Sequence, residues 1–371
     1  MTRRVLVVRL DSMGDVLVCG PAVRAIAGLP AVYVRAVDRG DEVVSPQTEV
    51  WMLVSRHGAS AARLLPGVAH VLVWDCPWIT VPSPDATPES LATLTRLITQ
   101  ARPDAAVILT SFHQSPLPLA LMLRLAGVAR ITGASVDFAG SLLDDRLRPG
   151  EDLDEDQPEP VRALQIAGAA GFPLPAADDG RLSVHISRAA WERAAAALAP
   201  LHGRPYVVLH PGAAAPAREW PATHYVRAAE LLAAEGIGVV VTGSRTERDL
   251  TIAVAGSVGL DLGGRCDLAS LAAVLAGAGV VVVGNTGPAH LAAAVGTPVV
   301  SLFSPVVPAE RWAPYGVPVR MLGDQSAACG STRARVCPVA GHPCLTDVAP
   351  EAAVAACLEL SEQRIPARRF G

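Results

Sequence analysis

The 371-residue chain carries 31 basic and 35 acidic residues, a net charge of −4, with the basic residues scattered along it. This length suits two domains, each able to bury a core, and the lack of a basic stripe excludes the charge footprint of a nucleic-acid binder. The stretch Leu268 to Phe303 has no Lys, Arg, Asp or Glu, yet Asn285-Thr286-Gly287-Pro288 divides it into pieces of about 17 residues or fewer, short of the roughly 20 a membrane-spanning helix needs.

The first residues resemble an export signal only superficially, because Arg9, Asp11 and Asp15 interrupt the apolar run that opens at Val5. Beyond it, short Val-rich runs bounded by turn residues alternate with longer Ala/Leu segments of helical period, the pattern of parallel α/β architecture. In the first half, strands are expected at Arg4 to Leu10, near Trp51 to Val54, at Val68 to Trp74 and at Ala105 to Leu109, with helices at Val16 to Ala27 and Ser90 to Ala101. The acidic, proline-rich stretch from Pro149 to Asp179 contains one short helix and reads as interdomain. The second half resumes with a strand at Arg181 to Ile186 and a helix at Arg188 to Leu198. Strands at Tyr206 to Leu209, Val239 to Val241, Val280 to Val283 and Pro298 to Phe303 follow, with helices at Ala222 to Ala234, Thr246 to Ala255, Leu268 to Ala276 and Ala289 to Val295. Domains are placed at 1–165 and 166–350, and a C-terminal helix and tail at 351–371 is free to pack back on the first domain.

Three turns could carry chemistry. Asp11-Ser12-Met13-Gly14-Asp15 directly follows the first strand, where open α/β sheets bind ligands. Gly14 permits a tight turn there. Asp15 fits either a general base, a role worth about 10²- to 10⁴-fold in rate, or, like Ser12, a helix cap. His210-Pro211-Gly212, the alanines Ala213 to Ala215 and Arg218 form a small-residue loop before Trp220-Pro221. Backbone N–H groups there can approach a phosphate and Arg218 can bind its oxygens in parallel, or the arginine is merely solvated. Gly284-Asn285-Thr286-Gly287-Pro288-Ala289-His290 joins a strand to a helix whose N-terminus suits a diphosphate. On its chemistry alone His290 fits a core position better than a catalytic one. Thr242-Gly243-Ser244 and Glu247 close another strand of the same half and either line that crevice or cap a helix. There is no G-x-G-x-x-G after the first strand and no Walker A sequence. Four of the seven cysteines, Cys329, Cys337, Cys344 and Cys357, lie near the C-terminus without a Cys-x-x-Cys pair, so loose reduced thiols and a cytoplasmic location are expected, although His342 beside Cys344 keeps a zinc site conceivable.

Together, Arg9-Leu10-Asp11-Ser12-Met13-Gly14-Asp15-Val16 with Pro21-Ala22 and Arg24-Ala25, His210-Pro211-Gly212 with Trp220-Pro221, and Asn285-Thr286-Gly287-Pro288-Ala289-His290 with Gly296-Thr297-Pro298 resemble glycosyltransferase family 9. That family contains the ADP-heptose:lipopolysaccharide heptosyltransferases. The resemblance implies a GT-B fold of two Rossmann-like open parallel-sheet domains facing a central cleft. It implies acceptor binding by the first domain and donor binding by the second, with no cofactor and no metal. It makes Asp15 the base of an inverting transfer. Gly14, His210, Pro211, Gly212, Arg218, Thr242, Gly243, Glu247, Asn285, Thr286, Gly287 and His290 become the donor-binding set. The partners implied are a nucleotide-diphosphate sugar, taken as an ADP-sugar, and a glycan or small-molecule glycoside acceptor. There is room for transient association with a membrane surface and no transmembrane segment.

Several positions depart from the family pattern. Asn285 replaces an aspartate, Arg218 a lysine and Ser304 a glycine, while Ala213 to Ala215 remove hydroxyls. A nucleotide-sugar epimerase of the same fold and a catalytically silent nucleotide-binding module are the alternatives. The acceptor-side loops Asp38 to Gln47 and Cys76 to Pro88 carry no readable code.

Overall fold

The computed structural model describes residues 3–29 and 48–362. The expected acceptor loop Asp38 to Gln47 and the last residues of the tail, 363–371, lie outside them. Two compact units divide the chain, Met1–His185 and Ile186–Gly371.

In the first unit a six-stranded sheet has the order β3-β2-β1-β4-β5-β6. Its strands are β1 (Arg3–Arg9), β2 (Thr48–Val54), β3 (Val68–Val73), β4 (Ala105–Ile108), β5 (Arg130–Ala134) and β6 (Asp145–Leu147), all paired in parallel. Val5 to Val8 are buried on both faces, which is why the strand reads as an unbroken apolar run rather than an alternation. The longer helices are α1 (Met13–Val18), α2 (Gly20–Ala27), α3 (Pro88–Ala101), α4 (Leu117–Leu125) and α5 (Glu159–Ala169). The single helix expected from Val16 to Ala27 is broken at Cys19, which ends α1 and starts α2. Pro21 has no N–H for an intrahelical bond, so it sits in the first turn of a new helix. Helix α2 then stops at Gly28, whose left-handed φ of 71° is an ordinary glycine C-cap. Helix α3 begins where Thr87 accepts from the Ser90 N–H at 3.2 Å, with Pro88 next to the cap.

The second unit repeats the topology, β12-β11-β10-β7-β8-β9. Its strands are β7 (Tyr206–His210), β8 (Gly238–Val241), β9 (Gly259–Asp261), β10 (Val281–Gly284), β11 (Val299–Leu302) and β12 (Val319–Leu322). The longer helices are α6 (Arg188–Leu198), α7 (Ala222–Ala234), α8 (Arg248–Ala255), α9 (Leu268–Gly277), α10 (Gly287–Ala294) and α11 (Pro350–Glu362). The uncharged stretch Leu268 to Phe303 thus resolves into helix, strand, helix and strand, and among the described residues no helix is long and apolar enough to cross a membrane. In both sheets the chain reverses direction of growth between the first and fourth strands of the unit, β1/β4 and β7/β10. Such a switch point opens a crevice at the carboxyl ends of the strands.

Three expectations are corrected. Arg181 to Ile186 is not a strand. Its alternation is real, since Leu182 and Val184 are buried, but the backbone joins no ladder. The His185 N–H donates to the Leu64 carbonyl at 2.8 Å and the Arg181 carbonyl accepts from Arg24. A period of two records one-sided burial and does not require a pairing strand. The unit boundary falls at His185 rather than at residue 165, because the buried Arg24 holds Asp178 through Nε at 2.6 Å and Nη2 at 2.8 Å, tying the crossover to α2. Helix α11 packs on the second unit, where Ala353, Val354, Ala356, Cys357 and Leu360 enter the same core cluster as Tyr225 and Leu232 of α7.

Candidate active site

At the carboxyl end of β1, Arg9 turns inward and is only 2% exposed. Its Nε forms an ion pair with Asp11 at 2.8 Å, Nη2 reaches Asp15 at 2.9 Å and Ser111 Oγ at 2.6 Å, and Nη1 reaches the Leu109 carbonyl at 3.1 Å and Glu159 at 3.3 Å. One guanidinium therefore serves three carboxylates at the β1/β4 switch point. Asp15 Oδ2 also accepts from the Ser12 N–H at 3.1 Å and from Ser12 Oγ at 2.5 Å. This is the reciprocal capping box of α1, so the cap expected of Ser12 and Asp15 is present. Burial alone would raise the Asp15 carboxyl, but the Arg9 charge and the Ser12 donors outweigh it and hold Asp15 below the usual carboxylate range. Asp11 goes the other way, pushed up to about 6 chiefly by burial, against Arg9, with Asp15 adding repulsion. Its Oδ1 accepts from the Gln114 amide.

In the second unit, His210 at the end of β7 is buried and its Nδ1 meets Thr242 Oγ1 at 2.9 Å. Burial, opposed by the nearby Glu247 charge, lowers the imidazole to about 4, so it is neutral at neutral pH. Glu247 accepts from the Ser244 N–H at 2.7 Å. This bond tightens residues 245–247 into a 3-10 turn, so the helix expected from Thr246 starts only at Arg248. The Glu247 carboxylate lies against the backbone of Gly212, where a Cβ would stand 2.1 Å from Oε1. Only glycine permits that approach. A Cβ on Gly243 would likewise meet Thr251 at 2.6 Å. Beside them, at the end of β10, Arg218 Nη1 donates to the Asn285 carbonyl at 3.3 Å. Asn285 is buried, and its Nδ2 donates to the Ser304 carbonyl at 3.2 Å.

The two departures at 285 and 304 are thus in direct contact, and an aspartate at 285 would turn a donor into a carboxylate facing a carbonyl. Asn285 Oδ1 and Thr286 Oγ1 are buried atoms with no hydrogen-bond partner among the described residues. Thr286 is the N-cap of α10 by position but not by side-chain bond, which leaves its hydroxyl uncommitted beside the Gly287 helix start. His290 is buried in the second turn, edge-on to Trp312 at 6.4 Å.

Of the residues read from the sequence, His210, Pro211, Gly212, Thr242, Gly243 and Glu247 gather at the ends of β7 and β8. Arg218, Asn285, Thr286, Gly287 and His290 gather at the end of β10 and the start of α10. Gly14 and Asp15 stand in the first unit, inside α1. Glu159 and Ser111, which hold Arg9, and Gln114, which holds Asp11, had no role in the sequence reading. Glu159 lies 150 positions from Arg9, and no local pattern links them. Asp11 and Arg9 offered one available signal, a charged pair flanking the end of an apolar strand. Among the described residues no three His, Cys, Asp or Glu side chains gather as a metal site, and the seven cysteines are free thiols.

The family model for glycosyltransferase family 9 (heptosyltransferase) matches residues 116–342, more than half of the chain. The chain belongs to glycosyltransferase family 9. This glycosyltransferase is similar in structure to E. coli ADP-heptose LPS heptosyltransferase II, with a TM-score of 0.71 at 20% identity, covering 97% of this chain and 99% of that one. A family 9 glycosyltransferase from Veillonella parvula gives a TM-score of 0.76 at 15% identity over 98% of each chain. The E. coli heptosyltransferase WaaC with ADP-2-deoxy-2-fluoro heptose gives 0.62 at 19% identity, over 96% of this chain and 99% of that one. These likenesses establish the GT-B fold class expected from the sequence. Among curated proteins none matches. Asp15 and the rest of the Arg9 cluster up to Ser111 and Gln114 precede the span matched by the family model, so their arrangement stands on the geometry of β1 and β4.

Proposed function

We propose that this family 9 glycosyltransferase transfers a sugar from a nucleotide diphosphate, taken as ADP-heptose, to a hydroxyl of a glycan or glycosylated small molecule, with inversion. The observation that carries the reading is the Asp15 carboxylate, fixed by Arg9 and Ser12 at the switch point of the first sheet. Asp15 takes the proton of the acceptor hydroxyl as that oxygen bonds to the anomeric carbon. The nucleotide diphosphate leaves from the opposite face with the bonding pair. A carboxylate held by three donors is ionised and aimed, which is what a base needs before it needs strength.

The donor belongs to the second unit in this reading. Arg218 supplies the charge for the diphosphate, and the start of α10 with Thr286 and Gly287 supplies N–H and hydroxyl donors. His210, neutral, orients Thr242, and Glu247 faces the nucleoside across Gly212 and Gly243. Solved relatives crystallised with ADP and with an ADP-heptose analogue support an adenine nucleotide. The acceptor falls to the first unit, and the reaction as drawn assigns no step to a metal or cofactor.

The test is Asp15→Asn. Transfer should fall by about 10²- to 10⁴-fold while calorimetry finds ADP binding nearly unchanged, and an active variant would remove Asp15 as the base. Titration with ADP, UDP, GDP and dTDP, repeated in EDTA, checks the donor. Selective ADP binding that survives EDTA is expected, and a preference for another diphosphate would replace ADP-heptose while leaving the reaction class.

A further inference from the structure

Among the described residues Arg9 is the one cation paired with Asp15, and it is not Asp15's alone. It is buried; its Nη atoms donate to Asp15, Glu159, the Ser111 hydroxyl and the Leu109 carbonyl, and its Nε forms an ion pair with Asp11. The next cation, Arg162, has Nε on Glu155 at 3.2 Å and Nη1 on the Thr110 carbonyl at 2.6 Å, and its charge also acts on Glu159. The remaining ionisable neighbour among the described residues is Cys19, whose Sγ donates to the Asp15 carbonyl at 3.3 Å and whose thiol burial pushes up to about 12, so it stays protonated. The group around Asp15 therefore holds more carboxylates than cations, in a region with little water to screen them.

We propose that Asp11 and Glu159 are positioning residues for the transfer. By sharing the Arg9 guanidinium with Asp15, they set how tightly that guanidinium holds the Asp15 carboxylate and so how basic Asp15 can be. The inference rests on Asp15 being the base. A guanidinium facing Asp15 alone would stabilise the anion so strongly that the carboxylate could hardly take a proton. Each competing carboxylate draws off part of that hold and adds repulsion of its own. Three bridged carboxylates also titrate as a set, so a proton bound by one changes the others.

Asp11 is the member placed to respond near neutrality. It has the Gln114 amide on one oxygen and Arg9 on the other, and burial pushes it up to about 6. Glu159 is also raised, first by burial, and its Oε1 accepts no hydrogen bond among the described residues. When Asp11 is protonated the Arg9 charge turns to Asp15, which becomes the weaker base. The expected loss of activity on acidification thus begins where Asp11 titrates, well above the titration of Asp15 itself.

The sharing is reciprocal, which gives a readout independent of turnover. Full-length protein labelled with ¹³C at aspartate side-chain carboxyls is titrated without substrate, and Asp11 and Asp15 are assigned from the Asp11→Asn and Asp15→Asn spectra. Asp11 should titrate near 6 in the parent protein. Its midpoint should drop by about one unit in Asp15→Asn and in Glu159→Gln, because Arg9 then turns to Asp11 and a like charge is gone. Gln114→Leu keeps every ion pair and should move the midpoint up, since a donor to the anion is lost. An Asp11 midpoint unmoved by these changes would overturn the sharing, even with Asp15→Asn inactive and the base reading intact. An Asp15→Asn protein that still transfers would remove the base, and this inference with it.

Discussion

The carboxyl edges of the two sheets occupy equivalent places in one topology and are furnished in opposite ways. At β1/β4 the crevice is filled with full charges, one guanidinium among three carboxylates. At β7/β10 it is lined by glycines, a neutral histidine, hydroxyls and an amide, with Arg218 and Glu247 as the flanking charges. Topology decides where a crevice opens, and side chains decide whether it handles protons or lets an anionic ligand approach the backbone. In the first unit the chemistry is tuned by neighbouring charges, and in the second by the absence of bulk.

The largest effect should come from emptying the charged edge of its cation. Arg9→Ala leaves Asp11 and Asp15 buried without their counter-charge and Glu159 with only the Arg162 charge, and breaking buried pairs of this kind costs about 3–5 kcal/mol. Thermal unfolding should show a large drop for the first unit, and a stability equal to that of the parent would mean the three carboxylates are not paired as described. Next is the uncharged edge. Gly212→Ala puts a methyl where the Glu247 carboxylate lies, so that carboxylate must swing away and give up its bond from the Ser244 N–H, at a cost of about 1 kcal/mol. Its ADP affinity should fall alongside, whereas adding Glu247→Ala should relieve the clash. A double variant no more stable than Gly212→Ala would show that the contact is not what requires glycine.

Arg218→Ala should act on binding rather than on stability. Losing hydrogen bonds to a charged group costs about 1.5–3 kcal/mol, so ADP should bind roughly 10- to 100-fold more weakly while adenosine is little affected. Equal losses in calorimetry would take Arg218 away from the phosphates. The finest contrast is in pH. His210 is lowered to about 4 in the folded protein from an ordinary 6.5, so its contribution to stability is complete above 6.5 and is lost as pH falls towards 4, because the unfolded chain takes the proton first. Asp11, raised from 3.8 to about 6, has the opposite sign. Its contribution is complete below 3.8 and is lost as pH rises through 6. Hydrogen exchange between pH 4 and 6.5 should therefore show β7 gaining protection with pH in the parent and losing that slope in His210→Asn. The same slope in both would remove His210 as its source.

How legible each edge was in the sequence follows the same division. The loops of the second unit are short, contiguous and bounded by strands with strong apolar runs, so His210 to Gly212, Thr242 to Glu247 and Asn285 to His290 could each be read in place. Their gathering then follows from β10, β7 and β8 being neighbours. In the first unit only Asp11 to Asp15 is local. Leu109, Ser111 and Gln114 arrive on the segment that follows β4, and Glu159 at the start of α5. A carboxylate that far along the chain carries no periodicity or turn chemistry to announce its partner.

The sequence by itself determined the alternation of strands and helices, the two-unit organisation, the breaks at Asn285 to Pro288 that exclude a membrane span, and the family. All of these rest on local hydrophobic period and contiguous motifs. Only the tertiary structure decided that Arg181 to Ile186 is an inward-facing crossover rather than a strand, that α11 belongs to the second unit, and that Asn285 faces Ser304. It alone decided that Asp15 shares its cation with two other carboxylates. The physical reason is that burial and Coulomb energy depend on distance in space, and a sheet brings together at 3 Å what the chain keeps far apart.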